Sequence, residues 1–183
     1  MASSKVTSTA IDGLLLASPP VATALSALAS GERGLRLAVS RPGWTWLLAA
    51  ISRSGDQSLL VICPQDDEAR DLAVELEAML GRAAVALWPS RGVPTGGAIG
   101  PSPHLVGQRA RATANLGRPG RVVVVGAPAL AERIAPPEAR PEPLTVTVGQ
   151  QTGAERLLDD LAGLGYERVA QVEERGDMAV RGG

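Results

Sequence analysis

The apolar runs "LLVIC" (residues 59–63) and "VVVVG" (residues 122–126) are each bounded by polar or turn-forming residues. Unbroken apolar runs of that length predict strands buried on both faces of a sheet, the usual state of strands in parallel sheets. Helical spacing fills the chain around them. "DDEARDLAVELEAMLG" crowds its acids into the first turn and sets Ala69, Leu72, Ala73, Leu76, Met79 and Leu80 on one stripe. "SPHLVGQRARATANLG" carries Ser102 as cap, Pro103 at its first position and Gly117 past its end. "LRLAV", with Leu35, Leu37 and Val39 alternating, and "AAVALW" read as further strands. "WTWLLAAISRSG" reads as a helix closed by Gly55, and "APALAERIA" as a short one. Strands alternating with helices imply crossover connections and a mainly parallel sheet, so residues 35–135 are expected to form an α/β domain.

Residues 1–34 form an N-terminal segment, loose at first, then holding a short helix in "SPPVATALSALASG" with Ser18 as cap and Gly31 as stop. "PSRGVPTGGAIGPSP", from residue 89 on, is read as loop. "PPEARPEP" (residues 136–143) has four prolines in eight residues and marks the linker. Beyond it, residues 144–183 change texture. "LTVTV" alternates like a half-exposed strand and "TGAERLLDDLAGLG" is amphipathic. "YERVAQV" and "DMAVRGG" read as two strands joined by the turn "EERG". This unit reads as the start of a small α+β domain, incomplete because the chain stops at Gly183 within an element.

Composition excludes several classes. The net charge of −1 creates no global field favouring nucleic acid or an anionic membrane. Positive charge is almost all arginine, Lys5 being the one lysine. The single cysteine, Cys63, forbids an internal disulfide and reads as a buried, inert thiol. One Cys and one His do not build a zinc site of ordinary spacing. "LLLA" near the start is too short for a secretory segment, and no run approaches a membrane span. The chain therefore reads as cytoplasmic.

The stretch "AVSRPGWT" (residues 38–45) stands where a phosphate loop belongs, between an expected strand and an expected helix. The phosphate-cradling pattern is G-x-x-x-x-G-K-[ST]; Gly43 and Thr45 fit its end, but Ala38 replaces the first glycine and Trp44 the lysine. That exchange removes the cation facing the phosphates, so the loop is not expected to bind ATP usefully, whether as a decayed site or as an ordinary turn. His104 reads as a solvated first-turn residue, and the pairs Asp66/Asp67 and Asp159/Asp160 as helix faces. Arg109, Arg111, Arg118 and Arg121 form a loose basic cluster with no interleaved aromatic, so phosphate contact is open to it and base stacking is not.

The segment "GYERVAQVEERGDMAVRGG" resembles G-Y-x-R-V-x-x-V-x-x-x-G-x-[FYM]-A-x-R-G-G of the bacterial transcription-repair coupling factors. "SPHLVGQRARATANL", "VVVVGAPALAERIAPP" and "VGQQTGAERLLDDLAGLGY" resemble, in order, earlier pieces of the same N-terminal region. The resemblance runs from about residue 35 to the end. It implies a P-loop-NTPase-like parallel sheet with helices on both faces, similar to UvrB but with a decayed phosphate loop. It also implies a protein-interaction role, recruitment of UvrA through the second domain, with Arg168 and Arg181 matching arginines of the contact segment. Masking of that surface by the C-terminal regulatory domain is part of the same implication. The ATP- and magnesium-dependent motor that meets DNA and RNA polymerase would lie downstream, leaving this region without catalytic residues, cofactor or metal. One departure is the loop after Trp88 and Pro89, which lacks the family's acidic and tyrosyl residues. It has no counterpart of UvrB's aromatic hairpin either.

Two other readings stand beside this one. A nucleotide-binding α/β hydrolase, or a piece of a UvrB-type helicase, requires ATP affinity at residues 38–45. A nucleic-acid-binding domain using the arginines from 109 to 121 requires steeply salt-dependent DNA binding.

Overall fold

The computed structural model describes residues 13–54, 57–92, 102–140 and 142–181. Among them are helices α1 (Pro19–Ala29), α2 (Arg41–Ser54), α3 (Asp66–Leu80), α4 (Pro103–Asn115), α5 (Ala127–Leu130) and α6 (Ala154–Gly163). The strands are β1 (Leu59–Cys63), β2 (Val85–Trp88), β3 (Val122–Gly126), β4 (Glu167–Arg168) and β5 (Asp177–Met178). The chain separates into two compact units: residues 1–94 with 108–132, and residues 95–107 with 133–183.

The first unit is α/β, as expected. Its three strands are parallel in the order β1-β3-β2, so the most apolar strand lies in the middle. All five residues of β3 are buried. Val122 and Val124 face a core built with Ala49 of α2 and Ala69, Leu72, Ala73 and Leu76 of α3. Val123 and Val125 face the other side, against Ala112 of α4, Ala129 of α5 and Trp88 of β2. A strand with β-branched residues on both faces is stable only if both faces are covered, and here helices cover both. The α3 stripe read from spacing is the buried one, and Gly81 and Gly117 take positive φ (86° and 72°) just past α3 and α4.

Several expectations needed correction. Residues 35–39 carry strand alternation but join no ladder. Side-chain alternation specifies a strand only where backbone partners are present. β1 is not buried on both faces: Leu60 and Ile62 are 47% and 55% exposed, because β1 is an edge strand beyond the reach of the α4–α5 layer. Helix α2 begins at Arg41, so Gly43, Trp44 and Thr45 lie in its first turns and not in a loop. The helix after β3 is a single turn. Residues 93–101, most of the Gly/Pro-rich loop, lie outside the described residues, as do residues 1–12.

In the second unit, residues 144–148 form no strand, and Val146 and Val148 are exposed. The expected strands shrink to two residues each, and they pair in parallel. None of its described residues is fully buried. With so little apolar area covered, long ladders gain no support from a core.

Candidate functional site

The turn at residues 38–45, compared above with a phosphate loop, is closed by its own side chains. The Trp44 indole N–H, at the position a phosphate loop gives to lysine, donates to the carbonyl of Val39 at 2.9 Å. The Arg41 guanidinium lies 5.3 Å from the Trp44 ring and pairs with Glu75 of α3 at 3.3 Å. Thr45 is buried, and its hydroxyl donates to Glu75 Oε2 in a short contact. In a working loop that hydroxyl would serve Mg²⁺. Gly43 is needed for closeness: a Cβ there would sit 2.9 Å from Val39 Cγ1. Ala38 is exposed at the entry to this turn. Beside it is an apolar cavity of about 240 Å³ lined by Leu37, Val39, Trp44, Leu47, Val61 and Cys63 among others, with no charged side chain among its described lining. Burial pushes the Cys63 thiol up, which suits an inert sulfur.

Hydrogen bonding from Thr45, reinforced by Arg41, holds the Glu75 carboxyl below its ordinary range against a smaller desolvation effect. A depressed folded-state value contributes stability above the ordinary glutamate pKa, and that contribution is lost as pH falls through the lowered value. Glu75 is 46% exposed, so solvent screening keeps the effect small. Thr45→Val is expected to cost about 1 kcal/mol at neutral pH and less than that near pH ~3. Urea titrations at the two pH values measure the difference.

A second cluster, at the carboxyl ends of the strands, is one that sequence reasoning missed. Arg109 of α4 is 8% exposed; its Nη1 donates to the carbonyl of Pro89 at 2.6 Å and lies 2.7 Å from Glu132 Oε2. The Glu132 contact is a Coulomb pair outside hydrogen-bond geometry. The guanidinium also stacks 5.8 Å from the Trp88 ring. Burial pulls the Arg109 pKa down and the Glu132 charge opposes that. Glu132 accepts the backbone N–H of Arg91 at 2.6 Å, and Ser90 Oγ donates to Asp66 Oδ2. Together these bonds fix the exit of β2. The signal was available: Arg109 lies three residues before buried Ala112, on the inward stripe of α4.

The arginine cluster reads differently in three dimensions. Arg109 is buried, Arg111 donates to the carbonyls of Val85 (2.8 Å) and Arg82, and Arg121 donates to that of Ala83. Three of the four guanidinia thus hold backbone carbonyls, and Arg118 alone of the four is exposed, which makes a poor phosphate-binding surface. His104 is exposed. Among the described residues no group of three His, Cys, Asp or Glu could hold a metal ion, and no helix is long and apolar enough to cross a membrane.

Arg168, on β4, and Arg181, three residues past β5, both lie in the second unit and are exposed. Neither forms an ion pair with a described residue. Asp177, a candidate local partner, instead accepts the backbone N–H groups of Glu173 and Glu174 at 3.0 Å each, which holds its carboxyl below the ordinary range. Arg181 lines an open depression of about 540 Å³ with Gln171, Val172 and Ala179.

No protein-family model matches the chain. It is 36% identical over 162 residues to the transcription-repair-coupling factors of Mycobacterium bovis (strain ATCC BAA-935 / AF2122/97) and Mycobacterium tuberculosis (strain CDC 1551 / Oshkosh), a match covering 84% of the chain. The chain belongs to the transcription-repair-coupling factor family. It spans 13% of the length of these relatives, and so corresponds to one segment of a transcription-repair-coupling factor. Their shared name ties the family to DNA repair coupled to transcription.

Proposed function

We propose that this segment is the N-terminal, UvrB-like interaction module of a transcription-repair-coupling factor, and that it recruits UvrA to lesions where RNA polymerase has stalled. It performs no ATP hydrolysis. The parent protein would be an ATP-dependent DNA translocase that displaces RNA polymerase through downstream domains, with a C-terminal domain masking the UvrA surface at rest. The observation that carries this reading is the exposure of Arg168 and Arg181, free of ion pairs with any described residue, in the part of the chain that matches the family's contact segment. A solvated guanidinium is available for bidentate pairing with a partner's carboxylates, and truncating such an anchor costs about 2 kcal/mol. The closed turn at Trp44 and Thr45 supports the non-catalytic half of the reading.

Two titrations test it. Immobilised chain is expected to bind purified UvrA, and the Arg168→Ala/Arg181→Ala double variant to bind about 30-fold more weakly or worse. Equal affinity of variant and wild type would remove these arginines from the interface. Labelled ATP with Mg²⁺ is expected not to saturate the chain at millimolar concentration; micromolar binding would favour a nucleotide-hydrolysing function instead.

A further inference from the structure

The carboxyl ends of the three parallel strands gather polar groups that the fold itself only half satisfies. Strand β1 passes into α3, on the sheet face of Val122 and Val124, whereas its neighbour β3 passes into α5, on the face of Val123 and Val125. Chain paths that leave adjacent strands for opposite faces open a crevice at the strand ends, the usual place for a ligand in a parallel α/β sheet. Asp66 opens α3, Trp88 ends β2, Arg109 projects from α4 and Glu132 follows α5. The three charged side chains are drawn together by bonds to three consecutive residues, Pro89, Ser90 and Arg91, next to Trp88.

Each charged side chain has one atom satisfied and its twin stranded. Arg109 Nη1 donates to the Pro89 carbonyl, Asp66 Oδ2 accepts from the Ser90 hydroxyl, and Glu132 Oε1 accepts the Arg91 backbone N–H. Arg109 Nη2, Asp66 Oδ1 and Glu132 Oε2 are buried with no protein partner in hydrogen-bond geometry, and so is Trp88 Nε1. Trp88 and Arg109 are 6% and 8% exposed, so bulk solvent does not serve these donors. Buried groups of this kind are satisfied in folded proteins either by the chain or by internal water. The stranded set consists of two donors and two acceptors. A cation would meet the Arg109 guanidinium, and an anion would meet the carboxylates of Asp66 and Glu132, so neither could use both halves. Water accepts from donors and donates to acceptors, and a buried molecule typically makes two to four such bonds. The Glu132 side chain, 22% exposed, marks where water enters.

We propose that the crevice at the carboxyl ends of β1, β2 and β3 is a binding site for internal water, held by Arg109 Nη2, Trp88 Nε1, Asp66 Oδ1 and Glu132 Oε2. The bound water links α3, α4 and the residue after α5, which direct bonds connect only through residues 89–91. It thereby fixes the root of the chain leaving β2.

A crystal structure and water-selective nuclear Overhauser spectra of the 183-residue chain test the proposal. Ordered water is expected at about 2.7–3.2 Å from at least two of the four atoms. The Trp88 indole N–H, assigned by its loss in Trp88→Phe, is expected to give a water cross-peak with the sign of a long-lived bound molecule. Ser90→Ala is expected to keep that cross-peak, which excludes relay through the hydroxyl. Inorganic phosphate and Mg²⁺, the probes for an anion or a cation site, are expected to leave the Trp88 indole and Gly126 amide signals unshifted. Water contact at fewer than two of the four atoms would overturn the proposal, as would the lack of a water cross-peak at the Trp88 indole. Saturable shifts with phosphate or Mg²⁺ would overturn it too. If Trp88→Phe does not fold, the crystal structure of the unaltered chain decides the matter.

Discussion

Replacing Arg109 by alanine will destabilise the first unit by about 3 kcal/mol or more, the range for removing one partner of a buried ion pair. The guanidinium is almost fully buried, and it holds the Pro89 carbonyl, the Glu132 carboxylate and the Trp88 ring at once. Its removal leaves Glu132, whose side chain is only 22% exposed, with Arg91 at 3.9 Å as its remaining ion-pair partner, and leaves the Pro89 carbonyl without that donor. Arg109 Nη2 and Trp88 Nε1 are buried without partners, so the polar groups of the cluster are only partly satisfied even before the change. The Arg109→Met/Glu132→Leu double variant is expected to lose less than Arg109→Ala, because no carboxylate is left facing a missing cation, although the Pro89 carbonyl and the Arg91 backbone N–H each lose a partner. Urea unfolding followed by circular dichroism measures both. A loss below about 1 kcal/mol for Arg109→Ala would mean the pair behaves as a solvated surface bridge.

Gly126→Ala is expected to cost about 2–3 kcal/mol, the usual penalty for overpacking a tight site. A Cβ at this last residue of β3 would stand 2.1 Å from Asp66 Oδ1 and 3.1 Å from Asp66 Cα. The carboxylate can rotate away, but it would give up the Ser90 hydroxyl, and the new methyl would still press on the backbone of residue 66. Asp66 opens α3, whose first turn sits directly against the end of the central strand, so relief requires moving a helix. Asp66→Ala should restore part of the loss, since it removes the nearer clash; on its own it is expected to cost about 1 kcal/mol through the lost helix-end charge and hydroxyl bond. The two substitutions should therefore be non-additive by about 1 kcal/mol in a thermal or urea double-mutant cycle. Simple additivity would show that residue 126 and Asp66 do not press on each other.

The fold was legible wherever a pattern reported burial directly. The α3 stripe, the all-apolar β3 and the glycines beyond α3 and α4 announce themselves, because burial on one face or two leaves a period in the residues. The apolar run of β1 was misleading for the same reason. It reads as a strand covered on both sides, yet Leu60 and Ile62 face outward where the second helical layer does not extend. Arg109 shows the opposite failure. In the sequence it joins Arg111, Arg118 and Arg121 in a basic cluster, and its real role depends on Pro89 and Glu132, 20 and 23 residues away along the chain.

The residues of the turn at 38–45 divide the same way. That Ala38 and Trp44 stand where a phosphate loop has glycine and lysine is written in the letters, and with it the lack of a cation for phosphate. That Thr45 spends its hydroxyl on Glu75 required α2 and α3 to lie side by side, whereas the Trp44 bond to the Val39 carbonyl, five residues back, is local to the turn. Periodicity is local and survives in one dimension, so element type and buried faces could be read from the letters alone. Partners for polar groups and coverage of sheet edges are settled between segments distant in the chain, so they emerged only once the helices had packed.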